Sequence, residues 1–143
     1  FFTVYGPFGR PDMSLFKFTD LISKNKKIDL FNHGDHVRDF TYVDDVATSI
    51  IKLITKPPRG RTPYAIYNIG SNNPQPLKSF LRMIEKILNK KAKINSLPMQ
   101  LGDVHKTHAS ITALSKKINY KPRTKVHEGI KQFIQWYINY FKK

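Results

Sequence analysis

The chain has 143 residues, of which 40% are hydrophobic and 13% aromatic. That is enough apolar material for one domain with a buried core, and it excludes a disordered polypeptide. The absence of cysteine excludes disulfides, thiolate metal ligands and a cysteine nucleophile. No apolar run approaches the roughly 18 residues of a membrane span and no signal-peptide pattern is visible, so we expect a cytoplasmic protein.

The net charge is +15, from 25 basic and 10 acidic residues. Such an excess is typical of proteins that bind a polyanion, so a basic nucleic-acid-binding module is one hypothesis. The alternative is a solvated surface enriched in lysine by AT-rich codons. We favour this alternative because most basic residues are lysines spread along the whole chain, whereas proteins that read bases favour arginine.

The first half of the chain predicts short strands and two helices. The apolar residues 1–5 predict a strand, which a loop rich in glycine and proline follows. Apolar residues at helical spacing predict helices over 14–24 and 44–55. Between these helices, short strands are predicted at 28–31 and 37–43.

The second half continues the same mixture. Strands are predicted at 65–69 and 92–97, where short apolar or alternating runs end at glycine or proline. Pro74 and Pro76 introduce a predicted helix that ends near Asn89. Two further helices are predicted over 111–117 and 125–142. The elements together predict an α/β to α+β fold with short strands and four to five helices.

Two stretches carry side chains suited to binding a nucleotide. Arg38 stands on a predicted strand in FNHGDHVRDFTYVDD at 31–45, and its planar guanidinium suits a phosphate or pyrophosphate. It could equally be the ion-pair partner of Asp39, Asp44 or Asp45. Asp103 follows Gly102 in LPMQLGDVHKTHAS at 97–110, where its carboxylate could accept ribose hydroxyls or simply belong to an ordinary turn.

Other possible sites have weaker support. His33 and His36 flank Asp35, and His105 and His108 are three residues apart, but neither pair has an obvious third ligand, so we expect no metal site. No G-x-G-x-x-G loop opens a strand–helix unit, and no tyrosine is followed by lysine four positions later. A dinucleotide fingerprint and a Tyr-x-x-x-Lys acid–base pair are therefore missing, and we predict no catalytic residue in this chain.

Several segments together resemble one family. They are FFTVYGPFGRPDM at 1–13, RDFTYVDDVATSIIKLI at 38–54, YNIGSNNPQPLKSFLRMIEK at 67–86, LPMQLGDVHKTHASITAL at 97–114 and PRTKVHEGIKQFIQWY at 122–137. The pattern is similar to the C-terminal, substrate-binding portion of extended short-chain dehydrogenases/reductases that act on nucleotide sugars. The nearest subgroup is the UDP-glucuronate 4-epimerases of surface-polysaccharide precursor synthesis.

The resemblance implies positions for the site residues. Thr3 would contact the sugar or its phosphate, Arg10 the sugar carboxylate, and Asp103 the ribose. Arg38 would contact the pyrophosphate. Asp29, Leu30 and Phe31 would line the uridine, and Phe1 would lie beside the nicotinamide. Gln100 occupies a position where UDP-galactose-type enzymes carry arginine and the glucuronate subgroup tends to carry glutamine.

The same resemblance implies a mechanism for which residues 1–143 carry only some of the required groups. In the family, NAD oxidises C4 of the sugar, the 4-keto sugar rotates, and the hydride returns to the other face. The glycine loop and the Tyr/Lys pair belong to a Rossmann half that this chain lacks, with 1–5 as a remnant of its last strand. We therefore expect the chain to bind a UDP-sugar, not to bind NAD alone, and to be inactive alone. One hypothesis is that a separate polypeptide supplies the Rossmann half.

Overall fold

The fold is a set of five helices and six short strands, seen in a computed structural model that describes residues 1–141. The helices are α1 (Ser14–Ser23), α2 (Val43–Ile54), α3 (Leu77–Leu88), α4 (Thr112–Ile118) and α5 (Val126–Phe141). The strands are β1 (Val4–Tyr5), β2 (Lys27–Leu30), β3 (Val37–Arg38), β4 (Thr41–Tyr42), β5 (Gln75–Pro76) and β6 (Lys93–Ser96). A short 3₁₀ turn, Phe31–Gly34, follows β2 directly.

The strands form three two-stranded sheets. β1 pairs with β4 and β2 pairs with β6, both in parallel, whereas β3 pairs with β5 in antiparallel fashion. In each pair the two strands are more than 35 residues apart in the chain, and the β2–β6 and β3–β5 pairs join its first half to its second. The mixed, short-stranded architecture with five helices confirms the predicted α/β to α+β fold class.

Most predicted elements occur within one or two residues of their predicted ends, with three differences. The strand predicted at 65–69 is irregular, because its backbone finds one described bond there, from Phe2 N–H to the Ile69 carbonyl at 3.1 Å, rather than a ladder. The first predicted strand is regular only at its last two residues. The prediction for 37–43 divides into β3 and β4, and the predicted end of the last helix at 142 lies outside the described residues.

An aromatic core holds the helices against the small sheets. The rings of Phe40 and Phe80 stack with their centroids 3.9 Å apart, and Tyr5 meets both rings edge-on. Phe133 and Tyr137 bring α5 into the same cluster. Burial of each such side chain contributes roughly 1.5–3 kcal/mol to folding, so these rings decide how α3 and α5 lie on the sheets.

Gly129 allows α5 to approach β1 and β4 closely. A Cβ at this position would stand 2.5 Å from the Tyr5 hydroxyl oxygen and 2.7 Å from Tyr42 Cδ2. The hydroxyl of Tyr42 also bonds to Gln132 on the next turn of α5. Only a residue without a side chain fits between the two tyrosines and the helix. Among the described residues, no helix is long and apolar enough to cross a bilayer.

Candidate functional site

A cleft of about 820 Å³ opens between α1, the end of β2, the β3–β4 segment and the 100–103 loop. Its size is within the range of ligand pockets. Seven of the residues predicted from the sequence as a site line it, and they come from four separate stretches of the chain. They are Thr3, Asp29, Leu30, Phe31, Arg38, Gln100 and Asp103.

Alternation along the β3–β4 segment selects which side chains face this cleft. His36, Arg38 and Phe40 line it, as expected for every second residue of an extended chain. Asp39 and Thr41 point to the opposite side and are fully buried. This geometry rules out Asp39 as the partner of Arg38, although the two residues are adjacent in sequence.

Arg38 is held in place by three hydrogen bonds. Its Nη1 donates to the carbonyl oxygens of Val37 at 3.1 Å and His105 at 3.0 Å, and its Nη2 donates to Asp103 Oδ1 at 2.8 Å. A guanidinium has five N–H donors. Within residues 1–141, no described acceptor is bonded to Nε or to the second hydrogen of Nη2. These two donors are left for an oxygen anion in the cleft.

The partner of Arg38 is therefore Asp103, and not one of the three aspartates considered from the sequence. Oδ1 of Asp103 also accepts the backbone N–H of Val104 at 2.8 Å, which fixes the carboxylate within its own loop. Its side chain keeps 33% of its accessible surface. Both predicted nucleotide-binding residues thus meet in one cluster, with the Asp103 carboxylate open to the cleft.

His36 is the residue of this cluster that the sequence did not predict. Its ring is almost fully buried, and Nε2 lies 3.1 Å from Asp103 Oδ2 in a geometry that is not a hydrogen bond. Burial, and then the charge of Arg38, lowers the pKa of His36, so the ring is neutral at pH 7. The sequence did contain a signal for His36. It lies two residues before Arg38 on an extended segment, so both side chains are expected on the same face.

The other carboxylates that line the cleft also have partners. Asp12 bonds to Arg10, Asp20 to Lys24 at 2.7 Å, and Asp29 accepts from Asn95 Nδ2 at 2.7 Å. The hydroxyl of Tyr137 bonds to Asp20 as well. An anionic ligand entering the cleft would therefore meet carboxylates that are already bound by cations or N–H donors.

Residues 29–31 line the cleft where β2 ends. Leu30 is buried, and its carbonyl accepts the N–H of Leu97 at 3.1 Å, which joins this segment to the chain after β6. Phe31 is half-buried and begins the 3₁₀ turn. Asn32 and His33 within that turn have positive φ, and the three residues before it, 29–31, line the cleft.

Two residues from the predicted site lie outside this cleft. Arg10 forms a two-bond ion pair with Asp12, at 3.0 and 2.6 Å, and its side chain is 74% exposed. That hydrogen bond raises the pKa of Arg10 and lowers the pKa of Asp12. Phe1 is also exposed and lies in a separate surface depression with Thr3 and the 6–10 loop. The structure thus brings neither side chain to Arg38 and Asp103.

Asp39 stabilises the frame behind the site. Its fully buried carboxylate accepts the backbone N–H of Ser71 at 2.8 Å, of Asn72 at 3.1 Å and of Ala109 at 2.8 Å, together with the Ser71 hydroxyl. Its own N–H donates to Thr107 Oγ1 at 3.1 Å. One side chain therefore fixes two loops against the strand that presents Arg38.

The histidine pairs do not form a metal site. His33 Nδ1 lies 2.8 Å from Ser96 Oγ, and His108 Nε2 lies 2.8 Å from Asn72 Oδ1. Across residues 1–141, no group of three or more His, Asp or Glu side chains is placed to hold a metal ion. His33 and His108 bond instead to polar side chains of neighbouring segments.

Sequence comparison relates this chain to a known family. The NAD dependent epimerase/dehydratase family matches residues 1–70. Protein CapI of Staphylococcus aureus is 44% identical over 100% of this chain and 47% of its own length. A probable UDP-glucuronate 4-epimerase of Rhizobium meliloti is 39% identical over 100% of this chain and 46% of its own length. The chain spans about half the length of the curated relatives it matches.

Solved structures give the same picture of the fold. MoeE5 in complex with UDP-glucuronic acid and NAD superposes with a TM-score of 0.89 at 26% identity, covering 97% of this chain and 46% of that one. UDP-glucuronic acid 4-epimerase from Bacillus cereus, in complex with UDP-glucuronic acid and NAD, gives 0.87 at 28% identity, with coverage of 97% and 44%. These neighbours confirm the resemblance to a portion of the extended short-chain dehydrogenase/reductase fold, and they contain NAD.

Proposed function

Starting from its similarity to the NAD dependent epimerase/dehydratase family, we propose that the chain is the UDP-sugar-binding portion of a UDP-glucuronate 4-epimerase. The observation that carries the proposal is the Arg38–Asp103 pair at 2.8 Å in a cleft lined by seven of the residues predicted as the site. A nucleoside diphosphate-sugar presents an anionic diphosphate and hydroxyl groups, and the cleft is lined by a guanidinium, carboxylates and polar side chains that suit both.

Arg38 would bind the diphosphate. Its Nε–H and remaining Nη2–H have no described acceptor, and two adjacent N–H donors suit a phosphate oxygen pair. The bonds to the Val37 and His105 carbonyls hold the guanidinium in one orientation before the ligand arrives. That preorganisation lowers the entropy cost of binding.

Asp103 and residues 29–31 would bind the nucleoside. Asp103 Oδ2 accepts no described hydrogen bond within residues 1–141, so it can accept from ribose hydroxyls. Asp29, Leu30 and Phe31 line the same cleft, and the aromatic ring of Phe31 suits a flat pyrimidine. Gln100 and Thr3 lie on the remaining walls, where polar side chains can reach the sugar.

The residues of this chain do not fit a dinucleotide by themselves. Its seven glycines form no G-x-G-x-x-G sequence, and the space beside Gly6 is filled, since a Cβ there would stand 2.6 Å from Val43 Cγ1. NAD supplies hydride transfer in enzymes of this class, but no hydride step is assigned to the residues of this chain. A polypeptide region with the glycine loop and a Tyr-x-x-x-Lys pair would have to supply that chemistry. We further propose that the product is used in surface-polysaccharide precursor synthesis.

Calorimetric titration with UDP tests the binding role. Wild type should bind UDP, and Arg38→Ala should weaken binding by roughly tenfold to a hundredfold, the equivalent of about 1.5–3 kcal/mol for a hydrogen bond to a charged group. Arg82→Ala is the matched control, because Arg82 is exposed on α3 away from the cleft. Arg38→Lys should restore only part of the affinity, since lysine keeps the charge but lacks the paired donors.

The outcomes separate the parts of the proposal. Absence of UDP binding by wild type would overturn the binding role altogether. Equal binding by wild type and Arg38→Ala would reject Arg38 as the diphosphate ligand while leaving the cleft as a nucleotide site. The 143-residue chain with UDP-glucuronate and added NAD should show no turnover, and measurable epimerisation would refute the proposal that the catalytic groups lie elsewhere.

A further inference from the structure

Six of the 25 basic residues lie together at one place outside the cleft. Two turns that are distant in sequence carry lysines: the turn between α1 and β2, and the turn between α3 and β6. All of these lysines are exposed. We call this group the lysine patch, and it consists of Lys24, Lys26, Lys27, Lys90, Lys91 and Lys93.

The parallel pairing of β2 and β6 brings these lysines together. Lys27 and Lys93 are register partners at the first residues of the two strands, and paired strands lie about 4.8 Å apart. Lys90 Nζ donates to the Ser23 carbonyl at 2.8 Å, which joins the two turns directly. The patch is therefore a feature of the fold and not of a continuous sequence run.

Acidic side chains neutralise only part of the patch. Lys24 pairs with Asp20 at 2.7 Å, and Lys91 lies 3.5 Å from Glu85. Within residues 1–141, no described carboxylate pairs with Lys26, Lys27, Lys90 or Lys93. Like charges directly opposite on paired strands are destabilising, so the fold gains nothing from the Lys27–Lys93 pairing. A surface that concentrates uncompensated charge attracts a partner of opposite charge.

We propose that the lysine patch docks the protein on an anionic phospholipid surface. The patch contains no arginine and its two turns contain no aromatic residue, whereas nucleic-acid tracks use arginine and stacking side chains. Clusters of four to eight flexible ammonium groups are what anionic lipid headgroups recognise. None of the six lysines lines the UDP-sugar cleft.

Vesicle co-sedimentation tests the proposal with the whole chain. Wild type should bind vesicles of phosphatidylglycerol and phosphatidylcholine in equal parts but not vesicles of phosphatidylcholine alone. Raising the salt from about 0.1 to about 1 M shortens the Debye length from about 10 to about 3 Å, and it should abolish binding. The triple variant Lys26→Gln, Lys27→Gln, Lys93→Gln should bind on the order of a hundredfold more weakly.

A second triple variant makes the result specific to the patch. Lys52→Gln, Lys56→Gln, Lys116→Gln removes the same charge from exposed lysines elsewhere, and it should bind the vesicles nearly as wild type does. An equal loss of vesicle affinity in both variants would overturn the proposal that the lysine patch is the binding surface, because only the total charge would then matter. Binding to duplex DNA at physiological salt without vesicle binding would also overturn it. An unchanged thermal midpoint in both variants shows that each remains folded, and this control does not depend on UDP binding. Unchanged UDP affinity in both variants would show in addition that the cleft is intact.

Discussion

Replacing Asp39 with asparagine tests the buried carboxylate that fixes two loops behind the cleft. Asparagine has nearly the same volume, so no cavity is formed and the packing is preserved. Its Oδ1 can still accept from the Ser71 N–H and hydroxyl. Its Nδ2, however, faces the N–H groups of Asn72 and Ala109, which then lose their acceptor.

The size of the effect follows from those two lost bonds. A hydrogen bond to a charged group contributes about 1.5–3 kcal/mol, and a buried donor left without an acceptor costs a similar amount. Asp39→Asn should therefore lower the free energy of unfolding by about 3–6 kcal/mol. Domains of this kind have a total stability of about 5–15 kcal/mol, so the variant should be folded but marginal.

Urea denaturation followed by circular dichroism measures this loss. With a slope of about 1–3 kcal/mol per molar urea, the midpoint should fall by on the order of 2 M. Asp44→Asn is the control, because Asp44 is exposed in the first turn of α2 and should lose at most about 0.3–1 kcal/mol of helix-dipole stabilisation. A loss below about 1 kcal/mol for Asp39→Asn would refute the assignment of Asp39 as the anchor of both loops.

Three further changes have definite expected outcomes. Gly129→Ala should reduce the free energy of unfolding by about 1–3 kcal/mol in urea despite its better helix propensity, because the new Cβ would meet Tyr5 and Tyr42; unchanged stability would contradict this packing. Burial lowers the pKa of His36 in the folded chain, so the unfolded chain binds the proton first. Stability should therefore be full above the ordinary histidine pKa of about 6.5 and decline as the pH falls below it. His36→Gln should flatten that part of the pH profile, and an identical profile would exclude His36 as its source. Asn89→Ala should lower the thermal midpoint, with a cost of about 1–2 kcal/mol, since Asn89 ends α3 at a φ of +50°.

The helices were predictable because each carries its own periodic apolar stripe. Phe80, Leu81 and Ile84 of α3 are buried together, as their spacing requires. The strand predicted at 65–69 failed for the opposite reason, since a strand depends on a neighbour that its own sequence does not specify. An apolar run without a ladder partner stays irregular, and Ile66 remains 73% exposed.

Seven of the residues predicted as a site line one cleft, but the ion pair between two of them was not predictable. The resemblance placed Arg38 and Asp103 at one substrate, yet their ion pair spans 65 positions and no local pattern encodes it. Alternation along the strand could have excluded Asp39 as the partner of Arg38 and identified His36. Arg10 bonds to Asp12, two residues away, and its predicted contact with the sugar carboxylate stays a prediction.

The β2–β6 pair also has a kinetic consequence. Its register partners Asp29 and Asn95 are 66 positions apart, and the entropy of closing so large a loop must be overcome before the pair contributes any stability. We expect α1 and α3 to form early and this pair to form late, which is typical of domains with high contact order. The cleft at the end of β2 and the lysines at its start depend on that same pairing, so both ligand surfaces should appear in one slow phase of folding.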